Sequence, residues 1–250
     1  MDEPYKAAPD IDVLPSTFPI PGFGMIPINA FLLKGKEPLL VDTGYVMESP
    51  EFMQTLRSVI DPADIRWIWL THTDFDHIGS LHQLLEEAPR ATVITTFLGV
   101  GIMSLFNPLP MDRVYFLNPG ERLTVGDRTL TAFKPPTFDN AATVGFYDDT
   151  SGALFSADCF GAILEGSAQN AGDIPADELR ERQVFWATVD SPWLHNVDPA
   201  KYGKSLERVR QMAPKLVLSS HLPAARGDML EPFLRTLAAA PMAVSWSPFT

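Results

Sequence analysis

Apolar residues in this chain alternate between short unbroken runs and helical spacing, and one abrupt switch between the two comes at residues 67–82. Trp67 to Leu70 reads as a buried strand that stops before His72, and beyond Gly79 the residues Leu81, Leu84 and Leu85 share one helix face. Upstream, residues 1–24 hold five prolines and two glycines with little periodicity, which predicts an irregular lead-in with at most one edge strand. Residues 26–33 and 38–41 predict strands joined by Lys34-Gly35-Lys36, and 50–60 an amphipathic helix with Phe52, Leu56, Val59 and Ile60 inward. Downstream the pattern predicts strands over 91–95, 113–117, 122–125, 129–134, 142–147, 153–156 and 215–219, and helices over 97–106, 177–188, 199–212 and 228–239. Residues 161–176 are small and polar and predict a mobile loop. Strands followed by helices in both halves predict an α/β fold with two central sheets and helices outside, an αββα four-layer sandwich. Nothing marks a linker, so residues 1–250 are expected to form one domain.

Composition narrows the partners. The apolar share of 46% can fill a substantial core, and a net charge of −12 disfavours a nucleic-acid backbone or an anionic membrane. The N-terminus is too acidic for a signal peptide, and no apolar run approaches a bilayer-spanning length. One cysteine, Cys159, excludes an internal disulfide and is read as a buried inert thiol, so the expected location is the reducing cytoplasm.

The chemistry begins where the strand over 67–70 ends. His72, Asp74, Asp76 and His77 lie within six residues, and such imidazoles and carboxylates repel or desolvate one another unless a cation neutralises them. The competing reading is a polar helix start with capping aspartates. Two further strands run into donors, at Asp158 and at His221, and ligands at the carboxyl edges of strands in a layered α/β fold converge on one crevice. Asp42, in Val-Asp-Thr-Gly, reads first as a turn former bonding nearby amides and otherwise as a residue beside the ligands. His195 reads first as a surface residue and otherwise as one shaping the pocket, and His82 as solvent-exposed.

The segment His72-x-Asp74-x-Asp76-His77, with Asp158 and His221, resembles the metallo-β-lactamase fold superfamily, whose usual signature is His-x-His-x-Asp-His followed by a His, a bridging Asp and a final His. Two positions depart from it: Asp74 replaces the second His, and no histidine lies between His82 and His195. Asp139 falls where the family's loop ligand is expected, although Phe-Asp-Asn-Ala is also an ordinary turn. A carboxylate at the second position is similar to the flavodiiron oxygen and nitric oxide reductases, which carry His-x-Glu-x-Asp. Leu154-Phe-Ser-Ala-Asp-Cys-Phe-Gly161 and Phe185-Trp-Ala-Thr-Val189 are similar to segments of the same branch. The resemblance implies two metal ions, with His72, Asp74 and Asp139 on the first, Asp76, His77 and His221 on the second, and Asp158 bridging.

Added carboxylates suit oxygen-loving ions, so iron is favoured over zinc or manganese. The expected function is a non-haem diiron protein that binds or reduces a small-molecule oxidant, O2 or NO. The chain shows no phosphate-cradling loop for a flavin, so electrons are expected from a separate donor protein, and the resemblance implies a homodimer. The alternatives are a metal-dependent hydrolase of an ester, thioester, lactone or phosphoester, a non-enzymatic oxygen or nitric oxide sensor, and a degenerate site kept for structure.

Overall fold

The computed structural model describes residues 1–243. Its first sheet carries β1 (Tyr5–Ala8), β2 (Ile11–Ile20), β3 (Gly24–Leu33), β4 (Leu39–Val41), β5 (Trp67–Trp69), β6 (Thr92–Thr95) and β7 (Val114–Phe116) in sequential order. The first four strands are antiparallel and β4 to β7 run parallel. The second sheet runs β13 (Leu222–Arg226), β12 (Leu216–Ser219), β11 (Ala153–Phe155), β10 (Gly145–Asp148), β9 (Arg128–Phe133), β8 (Arg122–Val125), with β11 and β12 parallel. Helices α1 (Ser49–Val59), α2 (Leu81–Glu87) and α3 (Phe97–Phe106) cover the first sheet. Helices α4 (Ala176–Asp190), α5 (Pro199–Met212) and α6 (Leu230–Ala239) cover the second.

The period of two along each strand builds these layers, because successive side chains point to opposite faces. On β3, Ala30 and Leu32 pack under the helices while Phe31 and Leu33 enter the core between the sheets. Ile68 and Trp69 divide the same way on β5, as do Leu154 and Phe155 on β11 and Val217 and Leu218 on β12. The inter-sheet core is aromatic at its centre, where Phe146 lies 4.4 Å from both Trp69 and Phe155, ring centre to ring centre. The αββα sandwich expected from the strand–helix order is therefore present.

Three local expectations are corrected. Residues 1–24 are β1, the whole of β2 and the start of β3, not a lead-in. β1 pairs with β2 only over Ile11 to Val13, so Pro15 and Pro19 sit where β2 has become an edge and no ladder donor is missed. Residues 161–176 are not a loose loop: Ala162, Ile163, Leu164 and Ala171 are buried, and Leu164 exchanges backbone bonds of 2.8 and 2.9 Å with Met25. Gly24 makes that exchange possible, since it has φ +128° and a Cβ there would lie 2.3 Å from the Leu164 carbonyl oxygen. Finally, β13 follows His221 directly, and its Leu-Pro-Ala-Ala-Arg, with a proline and two alanines, does not read as a strand.

Candidate metal centre

The strand ends position the chemistry by bending sharply. At the end of β4, Asp42 takes φ 59°, a left-handed conformation that an aspartate tolerates better than most residues. Its carboxylate accepts the Thr71 backbone N–H at 2.8 Å, the Thr71 hydroxyl at 2.7 Å and the His77 Nδ1–H at 2.8 Å. The neighbouring Thr43 N–H and hydroxyl donate to the His77 carbonyl at 2.7 and 3.1 Å, fixing the same residue from the backbone side. Gly79 lets the turn close, because a Cβ at that position would lie 2.4 Å from the Val46 nitrogen. Asp158 follows β11 between Ala157 (φ 51°) and Phe160 (φ 71°), two more non-glycine residues in the left-handed region. Its carbonyl accepts the Trp186 indole N–H at 3.0 Å. His221 follows β12, its Nδ1–H donating to the Pro27 carbonyl at 2.8 Å and its ring 4.8 Å from that of Trp186.

All three imidazoles thus spend Nδ1 on the protein and turn Nε2 inward. His72 Nδ1 lies 3.1 Å from the Thr71 hydroxyl. On the inner side, His72 Nε2 is 3.1 Å from Asp158 Oδ2, and His77 and His221 Nε2 are 3.3 and 3.1 Å from Asp158 Oδ1. Asp76 Oδ2 stands 3.5 Å from both His77 and His221 Nε2. Donor atoms within 4.8 Å of one another form the groups His72–His77–Asp158, Asp76–His77–His221, His72–Asp74–Asp139 and Asp139–Asp158–Asp190. Asp158 Oδ1 and His77 Nε2 are buried and make no well-directed hydrogen bond.

The electrostatics follow from this crowding. Burial would lower His221, but Asp158 and Asp76 outweigh it and push it up to about 9. The same contest raises His72, and it raises His77 well above its ordinary value through Asp76, Asp158 and Asp42. Asp158, despite burial, is held well below the carboxylate range by the three imidazoles around it. Asp139 and Asp190 go the other way, to about 6 and about 8, because burial and then the Asp158 charge oppose their ionisation. A buried array of imidazoles that hold their protons through one carboxylate, beside carboxylates that resist charge, is one in which a cation can take the place of those protons. Its oxygen-rich, imidazole-containing donor set fits iron or manganese and accommodates zinc.

Of the positions singled out in the sequence, His72, Asp74, Asp76, His77, Asp139, Asp158 and His221 come together, and Asp42 stands behind His77. Asn140, next to Asp139, donates to Asp74 Oδ1 at 2.8 Å. His195 does not join them: it is exposed on the turn after α4, with Nδ1 3.2 Å from the Pro241 carbonyl. His82 is half-buried rather than exposed. Sequence reasoning missed Asp190, the last residue of α4, and Asn29, whose amide donates to the Ser219 and Leu222 carbonyls at 3.1 and 2.9 Å and pins the turn bearing His221. Neither belongs to a local motif, so only the folded chain reveals them. A cavity of about 540 Å³ opens over the cluster, with Asp74, Asp76 and His221 in its lining and Phe18, Tyr45, Phe75, Phe106 and Trp186 around them. Helix α3 supplies Ile102 and Phe106 to this wall.

Comparison with known proteins bears on the same residues. A family profile described as "ODP family beta lactamase" matches residues 26–221. The anaerobic nitric oxide reductase flavorubredoxin of Salmonella arizonae is 28% identical over 173 residues, 68% of this chain and 36% of that protein. The rubredoxin oxygen:oxidoreductase of Desulfovibrio gigas superposes with a TM-score of 0.80 at 20% identity, over 96% of this chain and 62% of its own. The flavodiiron protein of Giardia intestinalis gives 0.83 at 18%, over 96% and 60%. These structures establish a shared metallo-β-lactamase fold, and the chain spans about half or less of the length of curated relatives it matches. From the profile match, which takes in the strand-end donors from Asp42 to His221, the chain belongs to the ODP family of beta-lactamase-fold proteins.

Proposed function

We propose that this chain is one metal-bearing domain holding a non-haem diiron pair, and that it binds or reduces a small oxidant, O2 or NO, with electrons from a separate donor. The observation that carries the reading is the convergence of three Nε2 atoms on Asp158, whose Oδ1 is buried without a well-directed hydrogen bond. The relatives named for nitric oxide and oxygen reduction support the choice of oxidant. When bound, the iron pair would pass the donor's electrons on and offer an open position for the oxidant. His72, Asp74 and Asp139 would hold one ion, Asp76, His77 and His221 the other, and Asp158 would bridge. Asp42 keeps the proton of His77 on Nδ1, and the Pro27 carbonyl does the same for His221, so each ring offers a lone pair inward. The mostly apolar lining of the cavity suits a small apolar molecule.

The test is metal analysis after anaerobic purification, followed by oxygen and nitric oxide consumption with a chemical reductant. About two irons per chain and reductant-dependent loss of either gas support the reading. Binding of either gas without turnover favours a sensor. A colourless zinc protein that cleaves generic esters or phosphodiesters replaces the reading with hydrolysis.

A further inference from the structure

Resting on that reading, we propose that Asp190 is an additional ligand, closing the coordination sphere on the side of His72, Asp74 and Asp139 and making the two metal positions chemically unequal. Asp190 ends α4, where a carboxylate meets the negative end of the helix dipole and is disfavoured unless a cation lies beside it. No lysine or arginine among the described residues forms an ion pair with it, and its side-chain hydrogen bond is from its own neighbour, the Ser191 hydroxyl at 3.1 Å. Instead it faces Asp139 and Asp158, with one oxygen from each of the three carboxylates inside 4.8 Å. The group is more than an acidic patch, because Asp158 is 2% exposed and Asp139 also lies within donor reach of the buried His72 and of Asp74.

The segment holding Asp190 is tied to the centre on both sides. Trp186, one helical turn earlier, donates to the Asp158 carbonyl at 3.0 Å, and Trp193 donates to the Phe138 carbonyl at 2.8 Å beside Asp139. The corner between α4 and the following turn therefore clamps the bridging residue and the Asp139 loop, with Asp190 between the clamps.

The result is a divided donor set. One position would draw on an imidazole and three carboxylates, because Asp190 shares a donor group with Asp139, and Asp139 another with His72 and Asp74; the other would draw on His77, His221 and Asp76, with Asp158 shared. The first is the harder and suits a trivalent ion, while the second suits a divalent one. Five carboxylates balance a divalent–trivalent pair exactly in charge, so the half-oxidised state is the neutral one.

Wild type and Asp190→Asn are loaded anaerobically with ferrous iron alone. Iron per chain, the electron paramagnetic resonance signal after one-electron oxidation, and circular dichroism are then recorded. The variant is expected to keep its fold, to bind the iron of the oxygen-rich position about tenfold or more weakly, and to lose or shift the half-oxidised signal. A folded variant with two irons and the wild-type signal overturns the inference and leaves the diiron reading standing. Wild type that binds no iron overturns both. Should the variant fail to fold, a crystal structure of iron-loaded wild type decides: an Asp190 oxygen at about 2.2 Å from iron supports the inference, and a gap wide enough for a water overturns it.

Discussion

Asp42 makes the shorter of two side-chain contacts to His77 Nδ1, 2.8 Å against 3.2 Å for the Thr71 hydroxyl, while its backbone sits in the left-handed region. An asparagine keeps both the size and the tolerance of that conformation but removes the charge. Asp42→Asn is therefore expected to leave the fold intact and to weaken metal binding by about 10- to 100-fold, read by competition with a chelator. Wild-type retention in the variant would mean that the Thr71 hydroxyl and the backbone bonds suffice to orient the His77 ring.

At the scale of elements, Arg113 shows how the turn between α2 and β6 is held. Its guanidinium donates to the Leu85, Ala88 and Ala91 carbonyls at 2.9, 2.5 and 2.9 Å, covering acceptors that the end of α2 leaves open. Arg113→Ala is expected to cost about 1–3 kcal/mol in urea unfolding without changing metal content. The residues legible in the sequence are those whose chemistry and element coincide. The apolar strand over 67–70 stopped by His72 shows itself locally, as do the Asp158 and His221 strand ends. What stays hidden depends on distant pairing. β2 is obscured by prolines that an edge position excuses, and residues 161–164 look loose until Met25 pairs with them. Asp190 gives no sign in its own segment, since its neighbours in the centre lie at Asp139 and Asp158.

Over the whole molecule the centre spans both sheets, with Asp42, His72 and His77 at the edge of one and Asp158 and His221 at the edge of the other. Binding a metal at a hundred times its dissociation constant adds about 2.7 kcal/mol to such a fold, so metal removal is expected to lower the melting temperature. The metal-free protein should then depend on pH in a set direction. His221 is raised to about 9 in the fold, so its charged pairing with Asp158 is fully present below the ordinary histidine value near 6.5 and fades as pH rises through about 9. Melting of the metal-free chain is expected to fall between pH 6 and pH 10. Unchanged melting over that interval would show that the imidazole–Asp158 pairing contributes nothing to the empty fold.

The parting of these donors along the chain also sets an order of events at the ribosome. By the time β7 has emerged, Asp42, His72 and His77 are all made, yet Asp158 is still about forty residues away and His221 more than a hundred. Chains fold from the amino end as they are synthesised, so the early half waits with its imidazoles formed and its partners missing. A nascent product truncated before residue 221 would lack the last imidazole, and metal uptake timed against translation would mark the moment at which the two sheets close on each other.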